Sequence, residues 1–84
     1  GFKVQQNYPN PFNPTTQIGY ELPTNEKITI VVYNTSGQSI RKLISQNQHA
    51  GYHHVIWDAR NDAGEKVSSG IYYYLVKAGN YAAI

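Results

Sequence analysis

Between residues 17 and 22 apolar and polar positions alternate strictly, with Ile18, Tyr20 and Leu22 on one side and Gln17, Gly19 and Glu21 on the other. A period of two marks a strand with one buried face, and Pro23 ends it because proline cannot donate to a ladder. After a polar turn at 23–27, Ile28, Ile30 and Val32 share one face while Thr29, Val31 and Tyr33 share the other. A strand apolar on both sides predicts a central position in its sheet. Asn34-Thr35-Ser36-Gly37 predicts a tight hairpin connection in which Gly37 takes positive φ. From Gln38 to Ile44 the spacing of Ile40, Leu43 and Ile44 also fits a helix, but the stretch is short and ends in Ser45-Gln46-Asn47-Gln48, so the segment reads as a strand with a bulge near Lys42.

The pattern sharpens again from Tyr52. His53, Val55 and Trp57 share one face, and Tyr52, His54 and Ile56 the other. Asp58 to Gly64 is a polar loop with Asn61-Asp62-Ala63-Gly64 as its turn, and Glu65 to Ser68 reads as a short edge strand. Gly70 leads into Ile71-Tyr72-Tyr73-Tyr74-Leu75-Val76, rich in β-branched and aromatic residues, and Ala78-Gly79-Asn80 turns into a last strand that the chain cuts short at Ile84. Short strands at regular spacing, with one Trp near the middle, predict an all-β immunoglobulin-like antiparallel β-sandwich of about seven strands. Its expected core holds Ile28, Ile30, Val32, Val55, Trp57, Tyr72, Tyr74 and Val76, with Trp57 as the largest buried group between the sheets.

Residues 1–14 differ in kind. Pro9, Pro11 and Pro14 restrict their own φ and drive the preceding residue out of the helical region, so the segment must run extended and kinked. In the run from Gln6 to Thr16 Tyr8 and Phe12 are the large apolar groups, and they are expected to plug a docked lead-in onto the sandwich formed by residues 15–84.

The 84 residues suffice for one domain that buries about 60–65% of its unfolded surface. Without Cys there is neither a disulfide nor a thiolate metal site, and a chain that opens on Gly1-Phe2 without Met reads as a fragment or processed product. The longest apolar run, Ile71 to Val76, is too short to span a bilayer. A net charge of +2, with seven scattered Lys and Arg, makes no basic stripe for nucleic acid.

Three blocks carry a family resemblance: Asn7-Tyr8-Pro9-Asn10-Pro11-Phe12-Asn13-Pro14-Thr15-Thr16, Ile18 to Pro23, and Val32 to Gln38. Further blocks run from Ala50 to Asp58, from Ser69 to Tyr74, and over Ala78-Gly79. Together they resemble the C-terminal sorting domain of type IX secretion substrates in Bacteroidetes-like bacteria, itself similar to the immunoglobulin-like module of flagellar hook-cap proteins. The resemblance implies a non-catalytic sorting module, secreted or cell-surface via the periplasm. It also implies the outer-membrane secretion machinery and an upstream passenger domain as partners. Recognition is expected from the surface around Ser69, Gly70, Ile71, Tyr72, Ala78 and Gly79, with Gly70 and Gly79 supplying backbone freedom. Two positions depart from the family pattern: Ala59 stands where Gly is usual, and Leu75 where a polar or basic residue is common. An apolar strand face or an open edge is also a candidate for self-association.

Other chemistry finds less support. His49, His53 and His54 lack the spacing for two ligands on one strand face, and Asp58, Asn61, Asp62 and Glu65 suit a hairpin turn as well as a calcium loop. No paired carboxylates or base-flanked serines point to catalysis, so neither enzyme activity nor a cofactor is expected. The eight tyrosines keep a carbohydrate-binding accessory module open as an alternative, beside a plain immunoglobulin-like spacer domain of a secreted enzyme.

Overall fold

Seven strands form two antiparallel sheets in a computed structural model that describes the backbone at residues 3–4, 15–79 and 81–83 and side chains from 15 to 79. The strands are β1 (Lys3–Val4), β2 (Thr16–Leu22), β3 (Glu26–Tyr33), β4 (Ser39–Gln48), β5 (Gly51–Trp57), β6 (Tyr73–Ala78) and β7 (Tyr81–Ala83). One sheet has the order β1-β2-β5 and the other β4-β3-β6-β7. The chain is an all-β, immunoglobulin-like sandwich, and β3 holds the central position that its two apolar faces predict.

The interior follows from alternation. Ile18, Tyr20 and Leu22 of β2 face Ile28, Ile30 and Val32 of β3 and Val76 and Ala78 of β6, and all are buried. Tyr20, Leu22, Ile28, Ile30, Val76 and Ala78 form one contiguous cluster, against which Leu43, Ile44, Val55 and Tyr74 pack. Trp57 is the largest buried side chain among the described residues, as its size predicts, and Tyr20 is the largest in that cluster. Trp57, at 8% exposure, lies outside the cluster. Tyr72 is half-buried rather than central. Tyr8 and Phe12 lie outside the described residues.

Three elements differ from the sequence reading. Lys3 and Val4 pair with Glu21 and Tyr20, so a strand begins within the segment read as a lead-in. The β3–β4 register shifts twice, skipping Leu43 and Ile40 on β4, so the bulge foreseen near Lys42 is one of two. Each bulge re-aims the following side chains, which lets Leu43 and Ile44 both reach the core although adjacent in sequence. The edge strand expected at 65–68 shrinks to a single bridge, Arg60 to Lys66. Ala59 at φ 60 breaks the extended backbone of one arm, so the pairing cannot lengthen.

Two connections use the same device. In Asn34-Thr35-Ser36-Gly37-Gln38 the Asn34 Oδ1 accepts the N–H groups of Ser36 and Gln38, its N–H donates to the Gln38 carbonyl, and Gly37 N–H returns to the Asn34 carbonyl. Asn61-Asp62-Ala63-Gly64-Glu65 repeats the set bond for bond, with Gly37 and Gly64 at φ 80 and 83. These are three-residue hairpin loops closed by a left-handed glycine, and the asparagine amide supplies the acceptor that the bent backbone lacks. The loops differ at one contact: Asn34 Nδ2 donates to Gln38 Oε1 at 2.8 Å, whereas Asn61 Nδ2 donates to a carboxylate, Glu65 Oε1, at 3.4 Å. Asn61→Asp should therefore destabilise more than Asn34→Asp at neutral pH, because it sets two carboxylates together while Gln38 can turn its amide. The excess, of about 0.5–1 kcal/mol, should vanish below pH 4 in thermal melts. Equal losses at both pH values would contradict this account.

Candidate interaction surfaces

The 58–72 connection carries the chain from the three-stranded to the four-stranded sheet, and Trp57 anchors its start. The indole N–H donates to the Arg60 carbonyl at 2.9 Å, and the Tyr72 ring meets the indole edge-on, with centroids 5.1 Å apart at 68°. Tyr72 is fixed in turn by its hydroxyl, which donates to the Ser68 carbonyl at 2.6 Å. Arg41 reaches across from β4 to Asp58 Oδ1 at 3.2 Å and to the Arg60 carbonyl at 3.3 Å. The loop that Gly usually enters in the resembled family is entered here by Ala59 in the left-handed region, a conformation that costs an L-residue about 1–2 kcal/mol.

These contacts account for the carboxylates that suggested calcium. Asp58 faces Arg41 and Arg60, Asp62 Oδ1 accepts the Lys42 backbone N–H at 3.0 Å, and the Asn61 oxygen holds its own turn. No group of three or more His, Cys, Asp or Glu able to hold a metal occurs among the described residues. His53 stacks on Tyr20, with centroids 5.5 Å apart at 18°, and its Nε2 lies 2.7 Å from the His49 carbonyl, while His54 is exposed. Burial pushes the Tyr20 phenol above its ordinary pKa, against the opposing pull of its hydrogen bond to Gln48 Oε1.

The six residues expected to form one recognition surface do not meet. Ser69, Gly70, Ile71 and Tyr72 line a shallow groove before β6, together with Thr35 and Ile40. Ala78 ends that strand at its far end and Gly79 follows it. Ala78 is 1% exposed and belongs to the core, so it can contact no partner. Gly70 has no positive φ and open space where a Cβ would sit, so the conformational freedom expected of it is not used. Gly79 does use it: its φ is 59, and a Cβ there would lie 2.5 Å from Glu26 Oε2.

What the sandwich does expose is side chains on its outer faces. On the three-stranded sheet Tyr52 and Ile56 of β5 stand out at 72% and 56% exposure, opposite Glu21 and Gln17 of β2. On the four-stranded sheet β3 and β6 are paired so that Val31 lies beside Leu75 and Tyr33 beside Tyr73. Tyr73 is half exposed, while Val31, Leu75 and Tyr33 are partly covered. Leu75, the apolar departure in this strand, is thus one half of a cross-strand pair. Among the described residues the most exposed tyrosines, Tyr52 and Tyr73, belong to different sheets and cannot share one platform.

Residues 8–81 match the family described as the FlgD Ig-like domain. Among solved structures, FlgD from P. aeruginosa superposes with a TM-score of 0.69 at 23% identity, over 76% of this chain and 50% of that one. This chain thus spans about half the length of that FlgD chain. No curated protein matches it. These findings overturn the type IX sorting reading: the family matched is the hook-cap immunoglobulin-like module to which the sorting domain was only compared. With that reading go the sorting role and the outer-membrane secretion machinery as partner.

Proposed function

Because the chain belongs to the FlgD Ig-like domain family, we propose that it is a non-catalytic structural module, an immunoglobulin-like spacer within a hook-cap-type assembly protein. The carrying observation is how its polar groups are used. The buried side chains of the described residues are all apolar or aromatic, and the loop carboxylates and amides are held by neighbouring cations and backbone N–H groups. Such an arrangement offers surfaces and spacing rather than a reactive centre. A surface location outside the cell belongs to the same proposal. No helix among the described residues is long and apolar enough to cross a membrane.

The test is a chimera in which this chain replaces the Ig-like segment of P. aeruginosa FlgD. Swimming and hook completion should recover well above the level given by a flexible Gly/Ser linker of equal length. A folded, secreted chimera that does no better than the linker would defeat the structural reading.

A further inference from the structure

The outer face of the four-stranded sheet combines two features that a spacer does not require. Tyr33 and Tyr73 lie side by side on neighbouring strands, and the same face carries Lys27, Lys42 and Lys77, all exposed. Lys42 is registered against Val31 and Lys77 against Thr29, so the ammonium groups flank the central strand instead of clustering at one end. Among the described residues none of the three lysines has a carboxylate partner. The ion pairs formed are those of Asp58 with Arg41 and Arg60, while Asp62 reaches β4 only to accept a backbone N–H.

We propose that this face binds an acidic polysaccharide, with sugar rings laid against Tyr33 and Tyr73 and uronate carboxylates paired to Lys27, Lys42 and Lys77. The charge calls for an anionic ligand, and the dimensions call for a slender one. Six residues of strand span about 20 Å and three strands about 10–14 Å. The area is far below the roughly 800 Å² that each partner of a stable protein interface buries. An extended acidic peptide docks by adding to an edge or lying in a groove, because its backbone needs partners, and a sheet face offers neither. A sugar chain needs only a ring face to cover its C–H groups and cations for its carboxylates. Tyrosine suits the first task, since its ring packs while its hydroxyl stays in water.

The experiment is an amide NMR titration of the 84-residue chain with alginate oligosaccharides, dextran oligosaccharides and poly-glutamate. Alginate should shift the β3 and β6 amides, and the shifts should disappear at 1 M salt, where screening acts over about 3 Å. Tyr73→Ala should weaken alginate binding by about tenfold, equivalent to about 1.4 kcal/mol. The triple change Lys27→Gln, Lys42→Gln, Lys77→Gln should abolish it. Tyr52→Ala, on the opposite sheet, should leave it unchanged. All these positions are at the surface, and melting curves check that each variant is folded. Absence of alginate shifts overturns the proposal, as does equal binding of dextran. Poly-glutamate binding as tightly as alginate would mean a site for acidic protein surfaces, and an unaffected Tyr73→Ala would reduce the effect to undirected charge attraction. Both outcomes overturn it as well.

Discussion

Tyr20→Ala is expected to lower stability by about 3–5 kcal/mol, a large share of what a small domain holds. Native domains hold about 0.05–0.15 kcal/mol per residue, which for this chain is roughly 4–13 kcal/mol in total. Tyr20 is the largest fully buried side chain; it packs with Leu22, Ile28, Ile30, Val76 and Ala78 and carries the stacked His53 ring on one side. Removing the ring opens a cavity whose walls belong to both sheets, so neither sheet can close it alone. Tyr20→Phe separates the two contributions, since it keeps the packing and loses only the hydroxyl that reaches Gln48. Its cost should be about 1 kcal/mol. Denaturant midpoints read by Trp57 fluorescence give both numbers. A Tyr20→Ala variant that unfolds at the parental midpoint would show that the core does not centre on this residue.

Trp57→Ala should cost about 3 kcal/mol, the low end for a large aromatic, because the side chain is buried at the margin of the sandwich and outside the contiguous core. Its distinguishing effect should be local. The indole holds the 58–72 connection by its N–H to Arg60 and by the edge-on Tyr72 ring. Native-state hydrogen exchange should therefore accelerate across 58–72 well before β3 and β6 lose protection, as expected of a region that opens below the global free energy. Trp57→Phe should restore part of the packing without the N–H, and so protect the connection only partly. A uniform loss of protection across all strands would place Trp57 in the core proper and contradict its role as an anchor.

The two variants also mark where sequence reading succeeds and where it stops. The inward face of β5, with His53, Val55 and Trp57, was legible because alternation in an extended strand is a local geometric necessity. Which inward residue lies at the centre is not local. Trp57 occupies the end of its strand, opposite Thr16, while Tyr20 lies mid-sandwich opposite His53. Size rightly marked Trp57 as a large buried side chain, but not that the contiguous cluster would form around Tyr20 instead. The candidate surfaces were less legible still. Ser69-Gly70-Ile71-Tyr72 and Ala78-Gly79 are close in sequence, yet they lie at opposite ends of β6, and alternation along it turns Ala78 inward. Tyr33 and Tyr73 are forty residues apart, and only the β3–β6 register makes them neighbours.

By itself, then, the sequence determined what depends on neighbours along the chain. It settled the period-two faces of β2, β3 and β5, the Asn-x-x-Gly turn at 34–37 with its left-handed glycine, and the all-β class, whereas the spacing in β4 fitted a helix as well as a bulged strand. Backbone sterics and side-chain spacing act over a few residues, so these features survive without knowledge of the partner strand. The tertiary structure alone decided what depends on pairing: the replacement of an edge strand at 65–68 by one bridge, the burial of Ala78 and the capture of the Asp58 and Asp62 carboxylates by β4. It also decided the placement of two tyrosines and three lysines on one open face. Register and sheet order select those contacts, and both are set by the summed packing of two sheets rather than by any single segment.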